Sequence, residues 1–107
     1  LTQDMKKFEQ ETQKEIMSRK IDIMQMKQDI RKMGDPEKSA LMKDVENIES
    51  KYLKAESNFK ELKEMNYSLW PDYTPQLDST IQYLGAKIDS IKLNITVITN
   101  KMNEDKG

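Results

Sequence analysis

The sequence predicts an all-α protein whose long helices form an antiparallel coiled-coil hairpin or an elongated three-helix bundle. Three long stretches carry apolar residues at alternating steps of three and four, the spacing of a narrow seam along a helix. Two short segments with glycine or proline, 34–37 and 70–75, separate these stretches. We therefore expect residues 1–107 to form a single helical module, with helices at about 2–33, 36–69 and 75–102.

The first helix is predicted from a stripe of apolar residues in which two steps of four follow each other, from Phe8 to Thr12 and from Thr12 to Ile16. Such a four-residue step locally unwinds a supercoil. Arg19 lies on the stripe, so we expect its stem to pack and its charged head to reach solvent, with Glu15 one turn earlier as an available ion-pair partner. The stripe consists of Met5, Phe8, Thr12, Ile16, Arg19, Ile23, Met26, Ile30 and Met33.

The same helix carries a second apolar set, Met17, Ile21 and Met24, on the side opposite the main stripe. A helix that is solvated on one side does not need this set. We therefore expect residues 16–26 to be covered from two directions, either by two intramolecular neighbours or by one neighbour and another chain. A sharper alternative is a flexible methionine-rich face that accepts several targets.

The second helix should start where Asp35 serves as the N-cap and Pro36 as the first helical residue. The break before it is either a tight turn or a kink that leaves the first two helices roughly collinear. Asn66 falls on the seam, where it either fixes the register or lies in solvent near the loop. The seam consists of Leu41, Val45, Ile48, Tyr52, Ala55, Phe59, Leu62, Asn66 and Leu69.

The third helix should open at Thr74 and Pro75, which repeat the arrangement of a cap followed by proline. Its seam is flanked by polar residues and has isoleucine in both layers, which favours three or more strands over a parallel dimer. The seam consists of Leu77, Ile81, Leu84, Ile88, Ile91, Ile95, Ile98 and Met102.

The aromatic segment 67–73 between the last two helices has two interpretations. An exposed Trp70 would be a hot spot for another protein. Alternatively, Trp70 and Tyr73 fold over the end of the helical hairpin and seal it, an interpretation that the chain-turning prolines favour.

The composition argues against catalysis and against cofactor or metal binding. Histidine and cysteine are absent, and the three glycines are too scattered for a phosphate-binding loop. With 18 basic and 19 acidic residues, the net charge of −1 gives no reason to expect nucleic-acid binding. No apolar run approaches the roughly 20 residues that a membrane-spanning helix needs, so we expect no membrane insertion.

Two resemblances concern parts of this pattern. The plan of three long helices within 107 residues is similar to a spectrin repeat. The chain lacks the tryptophan that such repeats carry in the middle of their first helix, so the resemblance implies only the architecture. A short run resembles the C-terminal part of a coiled-coil subunit of intraflagellar transport, and it consists of Lys87, Ile88, Ile91, Lys92, Asn94 and Ile95.

These observations together lead us to expect a non-catalytic assembly or scaffold segment of a larger cytoplasmic protein, in a cytoskeletal, trafficking or ciliary-type complex. Its partners would be other coiled-coil chains, identical or different, in an oligomer. The alternative is a monomeric three-helix adaptor that binds a helix or peptide through its methionine-rich face or the Trp70 loop. The candidate interface residues are Ile16, Met17, Ile21, Ile23, Met24, Met26, Trp70, Tyr73, Ile88, Ile91, Ile95 and Ile98.

Overall fold

The computed structural model describes the backbone of residues 2–106 and contains three long helices within that range. They are α1 (Gln3–Arg31), α2 (Glu37–Glu64) and α3 (Trp70–Lys106), and a short 3-10 turn at Tyr67–Leu69 leads into α3. Residues 2–106 contain no strand, so the predicted all-α class is confirmed. The helices run up, down and up in a bundle whose longest dimension is 59 Å.

The core consists of most of the three predicted apolar stripes, whereas Asn66 and Leu69, the predicted end of the second stripe, lie in solvent. Each helix contacts the other two. The stripe of α1 faces both α2 and α3, and its Met26 and Ile30 are almost completely buried. Val45 on α2 and Ile88 on α3 are buried to the same degree. A stripe about two residues wide per heptad leaves most of each helix in contact with water. Because each helix contacts the other two, the chain forms a three-helix bundle and not an isolated two-helix hairpin.

The first break is a tight turn and not a kink. The first helix ends at Arg31, two residues before the predicted end, and the N–H of Met33 closes a shorter turn to the carbonyl of Ile30 at 3.0 Å. The Asp35 carboxylate then accepts hydrogen bonds from the N–H and the hydroxyl of Ser39, at 3.2 and 2.6 Å. The N-cap role expected for Asp35 is wrong, because α2 begins at Glu37 with Pro36 at the N-cap position and no side-chain capping hydrogen bond. Asp35 instead binds Ser39 in the first turn, and the chain reverses direction here.

The predicted boundaries at the second break are wrong. The second helix ends at Glu64 and not at 69, and the third begins at Trp70 and not at 75. Asn66 lies in solvent, where its side-chain oxygen accepts a hydrogen bond from the N–H of Ser68 at 3.1 Å and caps the short turn. Of the two interpretations of Asn66, the solvated one is therefore correct.

The burial of Trp70 explains why α3 begins early. The indole is 2% exposed, and its ring meets those of Phe8 and Tyr67 edge to face, with centroids 6.5 and 5.3 Å away. Pro71 lies in the first turn, where a missing N–H costs nothing. Pro75 removes one helical hydrogen bond, a cost of about 3 kcal/mol. Burying the indole contributes about 4–6 kcal/mol. Its N–H is buried without a hydrogen-bond partner among the described residues, which offsets about 1–3 kcal/mol of that gain.

We expect Trp70→Ala to lower the free energy of unfolding by about 3–5 kcal/mol, because it leaves a cavity at the end of the bundle. Tyr73→Ala is the matched control, since that ring is 47% exposed, and it should cost less than about 1 kcal/mol. Urea unfolding followed by circular dichroism at ~222 nm measures both values. Equal effects of the two substitutions would contradict the sealing role of Trp70.

Candidate interaction surface

The structure divides the twelve candidate interface residues into two groups. The first group is buried between the helices of the same chain, apart from Ile98, which is partly buried; it consists of Ile16, Ile23, Met26, Trp70, Ile88, Ile91, Ile95 and Ile98. The second group lies in solvent and consists of Met17, Ile21, Met24 and Tyr73. Only this second group is accessible to another molecule while the bundle stays folded.

The two intramolecular neighbours of α1 do not cover its second apolar set. Met17, Ile21 and Met24 are 54%, 64% and 55% exposed. The expectation that α2 and α3 alone enclose residues 16–26 is therefore wrong, because three helices around one narrow core leave the far side of each helix in water. Coverage by another chain remains a prediction.

Met17 and Ile21 line a shallow groove between α1 and α2, which we call the basic groove. Phe59 and Tyr52 of α2 form its apolar floor. Its rim carries three lysines, Lys20 from α1 and Lys60 and Lys63 from α2, and the single carboxylate in the lining is Glu56. The groove therefore combines exposed apolar side chains with an excess of positive charge.

The floor of the basic groove carries a buried phenol. The hydroxyl of Tyr52 donates a hydrogen bond of 2.6 Å to Glu56. Burial raises the pKa of Tyr52 well above its usual value, and the hydrogen bond and the negative charge of Glu56 raise it further. The Lys63 ammonium lies 4.8 Å from the centre of the Phe59 ring, close enough for a cation–π contact.

The side of α1 that faces α3 carries a polar cluster at the position of Arg19. The Arg19 guanidinium pairs with Asp22 at 3.5 Å, and Lys92 of α3 reaches the same carboxylate at 2.7 Å. Asp22, and not the predicted Glu15, is thus the partner. The head group lies over Gly85, where the β-carbon of any other residue would stand 2.7 Å from Nη2, so glycine makes room for it. Within the described chain the Nε of Arg19 is buried without a hydrogen-bond partner.

Sequence reasoning missed a second exposed apolar pair, Leu93 and Val97 on the outer face of α3. They are 64% and 48% exposed, and Leu53 on α2 is 54% exposed. The available signal was the same as for Met17 and Ile21, namely apolar residues four apart on the side away from the seam.

The aromatic end of the bundle offers less to a partner than the sequence suggests. Trp70 is buried, and the exposed groups there are the half-exposed side chains of Tyr67, Leu69 and Tyr73. Tyr73 borders a shallow groove with Leu62 between α2 and α3. The Trp70 side chain therefore packs inside the bundle and is not available to a partner.

Other kinds of site find little support in the described residues. They contain no group of three or more histidine, cysteine, aspartate or glutamate side chains that could hold a metal ion. Among the helices that the structure describes, none is long and apolar enough to span a bilayer. No family model matches the chain, and no curated protein and no solved structure resembles it significantly.

We expect Asp22→Asn to lower the free energy of unfolding by about 1 kcal/mol at low salt, because two cations lose their common anion. Asp78→Asn is the matched control, since this exposed residue of α3 has no ion pair among the described residues. Urea unfolding at low and at high sodium chloride measures the difference. A loss that does not shrink at high salt would argue against an electrostatic origin.

We expect the stability advantage of the wild type over Tyr52→Phe to depend on pH. The raised pKa keeps the folded phenol neutral while the unfolded one ionises near pH 10, so the contribution of the hydroxyl is complete below that pH and declines above it. The difference in free energy of unfolding should be about 1 kcal/mol at neutral pH and should fall as the pH rises past about 10. A constant difference across this range would contradict the buried hydrogen bond to Glu56.

Proposed function

We propose that the chain is a non-catalytic helical assembly segment that binds another helical protein chain through the exposed face of α1. The observation that supports this proposal is the exposure of Met17, Ile21 and Met24 along one side of a helix whose other side is already buried. Contiguous exposed apolar side chains rimmed by polar ones are typical of interaction sites. Placement in a cytoplasmic cytoskeletal, trafficking or ciliary-type complex is part of the proposal and rests only on the long-helix architecture of the chain.

The physical mechanism would be the burial of a second stripe on α1. Ile21 and Met24 lie one turn apart, and Met17 lies one turn before Ile21. A partner helix laid along them at about 8–10 Å would remove these side chains from water without opening the core. Methionine side chains adapt their shape to a partner at low cost. Association would therefore add to the fold and not compete with it.

A monomeric adaptor that binds a peptide is the second candidate, and the basic groove supports it. Tyr52 and Phe59 form a floor that can receive a side chain from above, and Lys20 and Lys60 can pair with carboxylates. This candidate differs from the first in the oligomeric state of the chain. The Trp70 loop, in contrast, no longer supports it because the indole is buried.

We expect a photo-crosslinking amino acid at position 21 of the protein, expressed in its own cells, to give a discrete adduct with another helical chain. The same group at position 57, an exposed serine on the outer side of α2, is the control and should give none. Mass spectrometry identifies the adduct and distinguishes a second copy from a different protein. Met17→Glu with Met24→Glu should abolish it, because two buried charges oppose docking. Equal labelling from positions 21 and 57, or an adduct that survives both glutamates, would refute the proposal.

A further inference from the structure

An exposed row of side chains follows the outer side of α1 over its last six turns. All its members lie in solvent, and they recur at steps of four and three; they are Gln10, Lys14, Met17, Ile21, Met24, Gln28 and Arg31. Apolar residues occupy the middle of the row, cations flank it, and no carboxylate falls on it. Lys20, on the rim of the basic groove, adds a further positive charge beside Ile21. We call this the basic row.

A comparable row on the outer side of α3 has the opposite charge. Its members are also all in solvent; they are Gln82, Ala86, Asp89, Leu93, Val97, Asn100 and Glu104. Apolar side chains again occupy the middle, the carboxylates of Asp89 and Glu104 flank them, and the exposed Lys101 lies at the edge of the row beside Asn100. We call this the acidic row. At 1.5 Å per residue, residues 10–31 and 82–104 each extend over about 30 Å, so the two rows match in length.

The two rows cannot meet within one chain. Met17 and Ile21 lie opposite the α1 stripe that faces the core, and Leu93 and Val97 lie opposite the stripe of α3. Both rows therefore point away from the bundle. Any contact between them needs two molecules, and each molecule then keeps one unused row.

Resting on the function proposed above, we propose that the partner is a second copy of this chain, whose acidic row on α3 docks against the basic row on α1. The apolar centres supply the burial, and the opposite flanking charges select this pairing over a contact between two like rows. Because the two surfaces differ, the association is head to tail and produces open chains or rings, not a closed two-fold dimer. The net charge of −1 imposes little overall repulsion between copies.

Two double variants of the purified chain test this pairing, and both use glutamine so that neither gains charge or loses helix propensity. Ile21→Gln with Met24→Gln blocks the basic row, and Leu93→Gln with Val97→Gln blocks the acidic row. All four positions are largely exposed, so the fold should be retained, and circular dichroism verifies this. Leu53→Gln is the matched control, because it removes an equally exposed leucine that belongs to neither row.

Sedimentation equilibrium should show that the wild type and Leu53→Gln associate beyond a dimer as concentration rises. Each blocked variant alone should stay monomeric. An equimolar mixture of the two should form a one-to-one dimer and nothing larger, because only one intact row of each kind remains. The wild-type association should also weaken several-fold from low to high salt, since opposite charges contribute to it.

Three results would overturn this pairing. A wild type that remains monomeric excludes self-association. A variant blocked on the acidic row that still dimerises, while the one blocked on the basic row does not, indicates a two-fold contact between two copies of α1. A mixture that stays monomeric excludes complementary rows. If the wild type stays monomeric but the crosslinker at position 21 gives an adduct with a different protein, the pairing of two copies is refuted and the proposed assembly function is not. The two proposals can therefore be refuted independently.

Discussion

The whole structure depends on the narrowness of the apolar stripe that each helix buries. A stripe two residues wide per heptad is enough to hold a helix against two neighbours, as the near-complete burial of Ile30, Val45 and Ile88 illustrates. The same narrowness leaves most of each helix surface in water. A long bundle with a thin core and a large outer surface is the result, and such a shape favours contacts along the helices over an enclosed pocket.

Polar groups interrupt this thin core at one level, and their arrangement explains a glycine in the middle of a helix. Gly85 would weaken α3 by about 1 kcal/mol relative to alanine if nothing used the space above it. The Arg19 guanidinium fills that space, and the Asp22 carboxylate pairs both with it and with Lys92 of α3. Because the cluster joins α1 to α3, it opposes any sliding of these two parallel helices past each other. An apolar core alone would tolerate such sliding more readily.

The outer surface has its own organisation, which differs from helix to helix. On α1 the row through Met17 and Ile21 carries cations, whereas on α3 the row through Leu93 and Val97 carries carboxylates. A bundle that only needed solubility would have mixed both signs around isolated apolar residues. The opposite charges of the two rows would make the proposed head-to-tail contact more favourable than a contact between like rows. The proposed assembly would use surface that folding leaves exposed.

The spacing of apolar residues, with the glycine and proline between the stretches, determined the helical class, most of the three seams, the buried Thr12 within one of them and the break at residues 34–36. These features are local or periodic, so neighbours in sequence fix them. Only the tertiary structure decided where α3 begins, because Trp70 at its start is buried against Phe8, a residue more than sixty positions earlier in the chain. It also decided which carboxylate pairs with Arg19 and which apolar residues remain exposed, since both depend on the rotation of each helix against its two neighbours.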